Sequence, residues 1–177
     1  FFSTKDHLML LASEGLRVGL VTEHVPISQV ASLITRERVE AKYKALESSL
    51  RKDFGIQKPK IAILGLNPHA GDNGLIGEED EKILKPLIND LKNQGKIVSG
   101  PLPADGFFAT GGYSKYDGIL AMYHDQGLAP FKTIAFNSGV NYTAGLPVIR
   151  TSPDHGTAYA ISGKNKADEK SMRQENY

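Results

Sequence analysis

Cysteine and tryptophan are both missing from this chain of 177 residues. Without cysteine there is neither a disulfide framework nor a thiolate metal site, so any bound metal must take nitrogen and oxygen ligands. No charge of one sign prevails: 21 Lys and Arg face 20 Asp and Glu, a formal net charge of +1. Such a balance provides no field for nucleic acid, and no basic cluster with interleaved aromatics appears. No apolar run approaches the roughly 20 residues that span a bilayer, and no signal peptide opens the chain. A G-x-G-x-x-G signature is absent too, which leaves an ordinary Rossmann reading unsupported. With nucleic acid and membrane set aside, the expectation is a globular cytoplasmic protein with ample material for a core. The chain opens on Phe1-Phe2 without Met, and a helical pattern from Ala167 is cut off at Tyr177. A piece of a longer polypeptide is therefore expected.

What is present alternates. Residues 7–12 and 16–22 are apolar and bounded by Ser13-Glu14-Gly15, which predicts a hairpin. Ser28 is placed to cap a helix through Ile34, and Thr35 to cap a second from 36 to 53, with Val39, Tyr43, Leu46 and Leu50 at helical spacing. Residues 60–66 read as a buried strand, 67–77 as a Gly-rich loop, and 78–93 as a helix kinked or broken at Pro86. A short strand is expected at 97–99, leading into a rigid turn, 100–105, that aims Asp105. Further strands are expected at 117–123, 131–136 and 140–143, an extended segment at 148–151, and a helix from Thr157. Strands alternating with helices predict an α/β fold, mainly a parallel sheet flanked by helices, with some antiparallel strands.

Three histidines sit where strand-like runs give way to turns: His24 in LVTEHVP, His69 in ILGLNPHAGDNG and His124 in ILAMYHDQG. A residue just past a buried strand is fixed on one side and exposed on the other. Three imidazoles so placed can converge on one divalent cation; the plain alternative is three unrelated loop histidines. Asp125 and Asp72 could orient the imidazoles or simply be turn residues. A second group comprises Lys132, Asn141 and Arg150. Lys pairs with phosphate as a point charge, and Arg grips phosphate or carboxylate bidentately, although each alone is more often a solvated surface charge. Lys132 follows Pro130-Phe131 and Arg150 ends LPVI, which suggests partial burial. A third is Asp154-His155-Gly156, which either caps a helix or brings free N–H groups close to a ligand.

Together GLNPHAGDNG, GPLPAD, AMYHDQGL, GVNYTAGLPVIRTSPDHGTA and GKNKAD strongly resemble the 4-hydroxythreonine-4-phosphate dehydrogenases of pyridoxal 5′-phosphate biosynthesis. The segment from Asp154 also resembles the nucleotide loop of isopropylmalate and isocitrate dehydrogenases, whose fold the family shares. The resemblance runs from about His24 to Asp168. It implies NAD- or NADP-dependent oxidation of the C3 hydroxyl of the phosphorylated substrate, followed by decarboxylation to an aminoacetone phosphate. It implies a divalent metal (Zn, Co or Mg) on His24, His69 and His124, in a homodimer whose subunits both contribute histidines. Lys132, Asn141 and Arg150 match substrate-binding residues, and Asp154, His155 and Gly156 the adenosine side of the cofactor. Asp105 and Asp125 are the candidates for proton transfer. On this reading residues 1–105 form a metal-binding and dimerisation region and 106–177 part of the cofactor and substrate domain. The family's N-terminal portion is missing, so this chain alone is expected to be nearly inactive. Three alternatives stay open: a dehydrogenase of threonate or erythronate 4-phosphate, a metal-dependent hydrolase or lyase that needs no nicotinamide, and a non-catalytic phosphate-binding module, the plain reading of Lys132 and Arg150.

Overall fold

In the computed structural model, residues 7–135, 138–146, 148, 150–153, 159 and 162–164 are described. One seven-stranded sheet runs through them in the order β4-β3-β5-β2-β1-β6-β7. The strands are β1 (Leu8–Ser13), β2 (Leu16–Leu20), β3 (Lys60–Leu64), β4 (Ile97–Leu102), β5 (Gly118–Ala121), β6 (Val140–Ala144) and β7 (Thr151–Pro153). The β4-β3, β3-β5 and β5-β2 pairs are parallel, and β2-β1, β1-β6 and β6-β7 antiparallel. Strands from both sides of residue 105 share the sheet. The helices are α1 (Ile27–Leu33), α2 (Arg36–Lys52), α3 (Lys85–Asn93), α4 (Ala104–Ala109) and α5 (His124–Ala135).

Both faces of the sheet are covered, and this explains why its central strands are apolar throughout. Ile61 and Ile63 of β3 face α2 and α3, meeting Leu46, Leu50, Leu87 and Leu91. Their neighbours Ala62 and Leu64 point the other way, toward Phe107, Leu128 and Phe131 of α4 and α5. Successive strand side chains alternate between faces, so a strand between two helical layers must be apolar at every position.

The expected hairpin forms, with Leu10 opposite Gly19. In α2 the predicted stripe Val39, Tyr43, Leu46 and Leu50 is buried. Thr35 caps it, its hydroxyl accepting from the Arg38 N–H at 3.3 Å. Thr35→Ala is expected to cost about 1 kcal/mol, read as a lower urea midpoint at unchanged m. An unmoved midpoint would show that this cap contributes nothing.

Several local expectations are corrected. The first helix begins at Ile27 behind Pro26, so Ser28 lies inside it and caps nothing. The segment 78–93 is split: a π-turn occupies Asp80–Leu84 and α3 follows. Pro86 falls in the first turn of α3, directly after the π-turn. The strand after Lys96 continues to Leu102, and Asp105 belongs to the first turn of α4 rather than to a turn. Residues 131–135 are helix, not strand. Gly127, Leu128, Phe131 and Ala135 bury one face of α5 at helical spacing, and the helix runs through Pro130, which in the sequence resembles a break. Arg150 is exposed, against the partial burial expected of it, whereas Lys132 is half-buried as expected. Asp154, His155, Gly156 and most of the helix expected from Thr157 lie outside the described residues.

No helix among the described residues is long and apolar enough to cross a membrane.

Candidate functional site

Parallel strands share a direction, so the chain leaves β4, β3, β5 and β2 along one edge of the sheet. That edge is where open α/β sheets bind ligands. Pairing between β2 and β5 continues beyond the strands proper: Val21 N–H donates to the Ala121 carbonyl at 2.9 Å and Thr22 N–H to the Met122 carbonyl at 3.1 Å. The Thr22 hydroxyl donates to the same Met122 carbonyl at 2.8 Å. His24 and His124 each follow two residues after this Thr22–Met122 pair. Equal offsets from a hydrogen-bonded pair bring the two rings side by side, their centroids 5.5 Å apart. Asp125 accepts a hydrogen bond from His124 Nδ1 at 2.7 Å, leaving Nε2 as the nitrogen turned to other partners.

His69 reaches the edge differently. It follows β3, on the other side of β5 from β2, and it is five residues past Leu64, where His24 is four past Leu20 and His124 three past Ala121. It lines a cleft of about 480 Å³ with Asp105, Phe108, Tyr123, Asp125 and Gln126. His24 and His124 line a neighbouring recess of about 260 Å³ with Glu23, Tyr123 and Asp125. Tyr123 and Asp125 therefore form the wall between the two. His24 and His124 are together, and His69 stands across that wall beside Asp105. Among the described residues, no three His, Asp or Glu side chains come close enough to hold a metal ion. A larger depression of about 830 Å³ runs along α2 and Gly145–Leu146, away from these groups.

The anion-binding candidates lie farther along the sheet. Asn141 pairs with Leu11 of β1, and directly opposed residues share a face, so Asn141 sits on the α5 side. Arg150 donates from Nη1 to the Thr143 hydroxyl at 2.8 Å, and Thr143 is on that same face. Lys132 belongs to α5, about 12 Å beyond His124 at 1.5 Å per residue.

Gln126 escaped the sequence reading. Its side-chain oxygen accepts from the Met122 N–H at 2.7 Å, and its Nε2 donates to the Gly65 carbonyl at 2.7 Å. It thereby ties the end of β5 to the end of β3. An amide carries both a donor and an acceptor, which makes Gln suited to bridging two strand ends. Its place two residues after His124 was the available signal. Glu79, close to the His69 loop, has its carboxyl held below the usual range by its own backbone N–H and then by the Asn67 amide.

Residues 1–175 match the family model described as pyridoxal phosphate biosynthetic protein PdxA. A 4-hydroxythreonine-4-phosphate dehydrogenase of Bacteroides thetaiotaomicron is 54% identical over 170 residues, covering 96% of this chain and 47% of its own length. A 1.25 Å crystal structure of the enzyme of that name from Klebsiella pneumoniae is 41% identical, with a TM-score of 0.86, over 99% of this chain and 53% of that one. A terephthalate 1,2-cis-dihydrodiol dehydrogenase from Burkholderia xenovorans is 33% identical at a TM-score of 0.77, over 95% and 53%. The chain spans about half the length of the curated relatives it matches. With its sequence matched almost end to end and its fold shared, this chain belongs to the PdxA family.

Proposed function

We propose that the intact protein oxidises 4-hydroxythreonine 4-phosphate with NAD or NADP and releases CO2 to give 3-amino-2-oxopropyl phosphate, in vitamin B6 biosynthesis. The observation that carries this reading is the His24–His124 pair on adjacent parallel strand ends, in a chain of this family. The pair fits a cation. Two imidazoles on one ion, each nitrogen about 2.1 Å from it, have ring centres roughly 5 Å apart, close to the 5.5 Å observed. His69 is the third ligand on this reading, and a second subunit is the means of uniting it with the pair. Residues 1–105 would supply the dimerisation region with the ligands His24 and His69, and 106–177 the ligand His124 with part of the cofactor and substrate domain.

His24, His124 and His69 would hold a divalent metal (Zn, Co or Mg), which would supply polarisation of the C3 oxygen, and the nicotinamide would supply the hydride acceptor. The chain's own groups do the rest. Asp125 holds the His124 ring in one orientation through Nδ1. Lys132 and Arg150 neutralise the phosphate and carboxylate, and Asn141 orients the substrate between them. Asp105 or Asp125 takes the proton of the C3 hydroxyl as hydride leaves carbon, which converts the alcohol to a ketone. The C–C bond to the carboxylate then breaks, and its electron pair is protonated as CO2 departs. Asp154, His155 and Gly156 would hold the adenosine side of the cofactor. The working unit on this reading is a cytoplasmic homodimer.

The test is NADH formation by the full-length enzyme on the phosphorylated amino acid, with and without a chelator. Turnover that stops on chelation and returns with Zn2+ or Co2+ is expected. Turnover without nicotinamide would instead favour a hydrolase or lyase. A second substrate reading has one observation behind it: the relative named as a dihydrodiol dehydrogenase indicates that this scaffold also oxidises other alcohols. A kcat/KM at least as high on threonate or erythronate 4-phosphate would move the assignment to sugar-acid catabolism.

A further inference from the structure

The loop that carries His69 is wound left-handed. His69, Ala70, Asp72 and Asn73 have φ of 54°, 51°, 41° and 56°, and Gly71 between them has 81°. L-residues visit this region as isolated positions, not five in succession, so the surroundings must impose it. Asp80 is the group placed to do so. It is 0% exposed, and its carboxylate accepts from the Leu66 N–H at 2.9 Å, the Asn67 N–H at 3.1 Å and the Asn67 amide at 3.0 Å.

The backbone is pressed against that carboxylate. A Cβ at Gly65 would lie 2.9 Å from Asp80 Oδ1, and one at Gly71 3.2 Å from Asp80 Cβ. Asp80 opens the π-turn ahead of α3, a distortion of the kind often found at functional sites. It lines neither cleft of the site. A buried carboxylate is costly unless its lone pairs are used, and here its partners are three N–H groups of Leu66 and Asn67, the residues shortly before His69.

We propose that Asp80 is a positioning residue: it anchors Leu66 and Asn67, imposes the left-handed winding, and so sets where the His69 imidazole meets its ligand. The inference rests on the reading of His69 as a ligand given above, and the test separates the two. In the full-length enzyme, Asp80→Asn keeps the shape but turns an amide N–H toward backbone donors. Leu50→Ala, a buried change in α2 packed against Gly118 at the start of β5, serves as a matched destabilised control.

Hydrogen exchange in Asp80→Asn is expected to rise at least about tenfold across residues 65–77 and to stay at wild-type rates elsewhere. Calorimetric Co2+ affinity should fall about 10- to 100-fold, while Leu50→Ala stays within about twofold of wild type. Uniformly raised exchange, or Co2+ affinity retained in Asp80→Asn, would overturn the proposal. If wild-type enzyme takes up no Co2+, the metal reading falls and the exchange pattern alone decides the role of Asp80. Should Asp80→Asn fold too poorly to assay, Asn67→Ala removes one of the three donors and carries the same comparison.

Discussion

Alanine at His24 or at His124 is expected to lower kcat/KM of the full-length enzyme about 10³-fold, and the double substitution no further than either alone. The two rings lie 5.5 Å apart on strand ends locked in register by Thr22 and Met122, so they act on one object rather than two. Removing either leaves that object without adequate ligation, and the second loss then has little left to remove. Independent roles, such as one ring on a phosphate and the other on a hydroxyl, would make the losses multiply. Steady-state kinetics of the two single variants and the double variant measures this directly. Losses below about tenfold in both single variants would remove these histidines from the chemistry.

The second large effect is on stability. Phe131→Ala is expected to cost about 3–5 kcal/mol, a substantial part of the 5–15 kcal/mol typical of a whole domain. Phe131 is fully buried beneath α5 and packs with Leu11, Val18, Leu20 and Leu128. The cavity cannot close easily. Gly127 already brings the α5 backbone against the sheet, so closely that a Cβ there would sit 2.8 Å from Leu20 and 2.9 Å from Val18. Ile134, on the same helix but 42% exposed, should tolerate alanine within about 0.5 kcal/mol. Urea unfolding of the two variants gives the comparison. A Phe131→Ala cost near that of Ile134→Ala would mean that α5 does not depend on this face for its seat. Because α5 begins at His124, its seat is also the seat of one ring of the pair.

Much of the fold was legible in local pattern. The stripe from Val39 to Leu50 could only be an amphipathic helix, and uninterrupted apolar runs such as KIAIL could be buried on both faces only in a parallel sheet. Errors fell where two local signals competed. Pro130 punctuates residues 124–135 on paper, yet burial of Gly127, Leu128, Phe131 and Ala135 against the sheet outweighs the lost hydrogen bond. Ser28 is a fair cap by type, but the chain turns at Pro26 and starts the helix one residue before it.

The sequence by itself determined the alternating α/β architecture, the delivery of His24, His69 and His124 to strand ends, and the residue types able to bind anions. These follow from side-chain period and residue chemistry, which are local properties. Only the tertiary structure decided that His24 and His124 stand side by side while His69 lies beyond Tyr123 and Asp125. It also decided that Gln126 and Asp80 hold the edge together. Strand order and register set those neighbours, and both arise from pairings between residues as far apart in sequence as Thr22 and Met122, which no local pattern records.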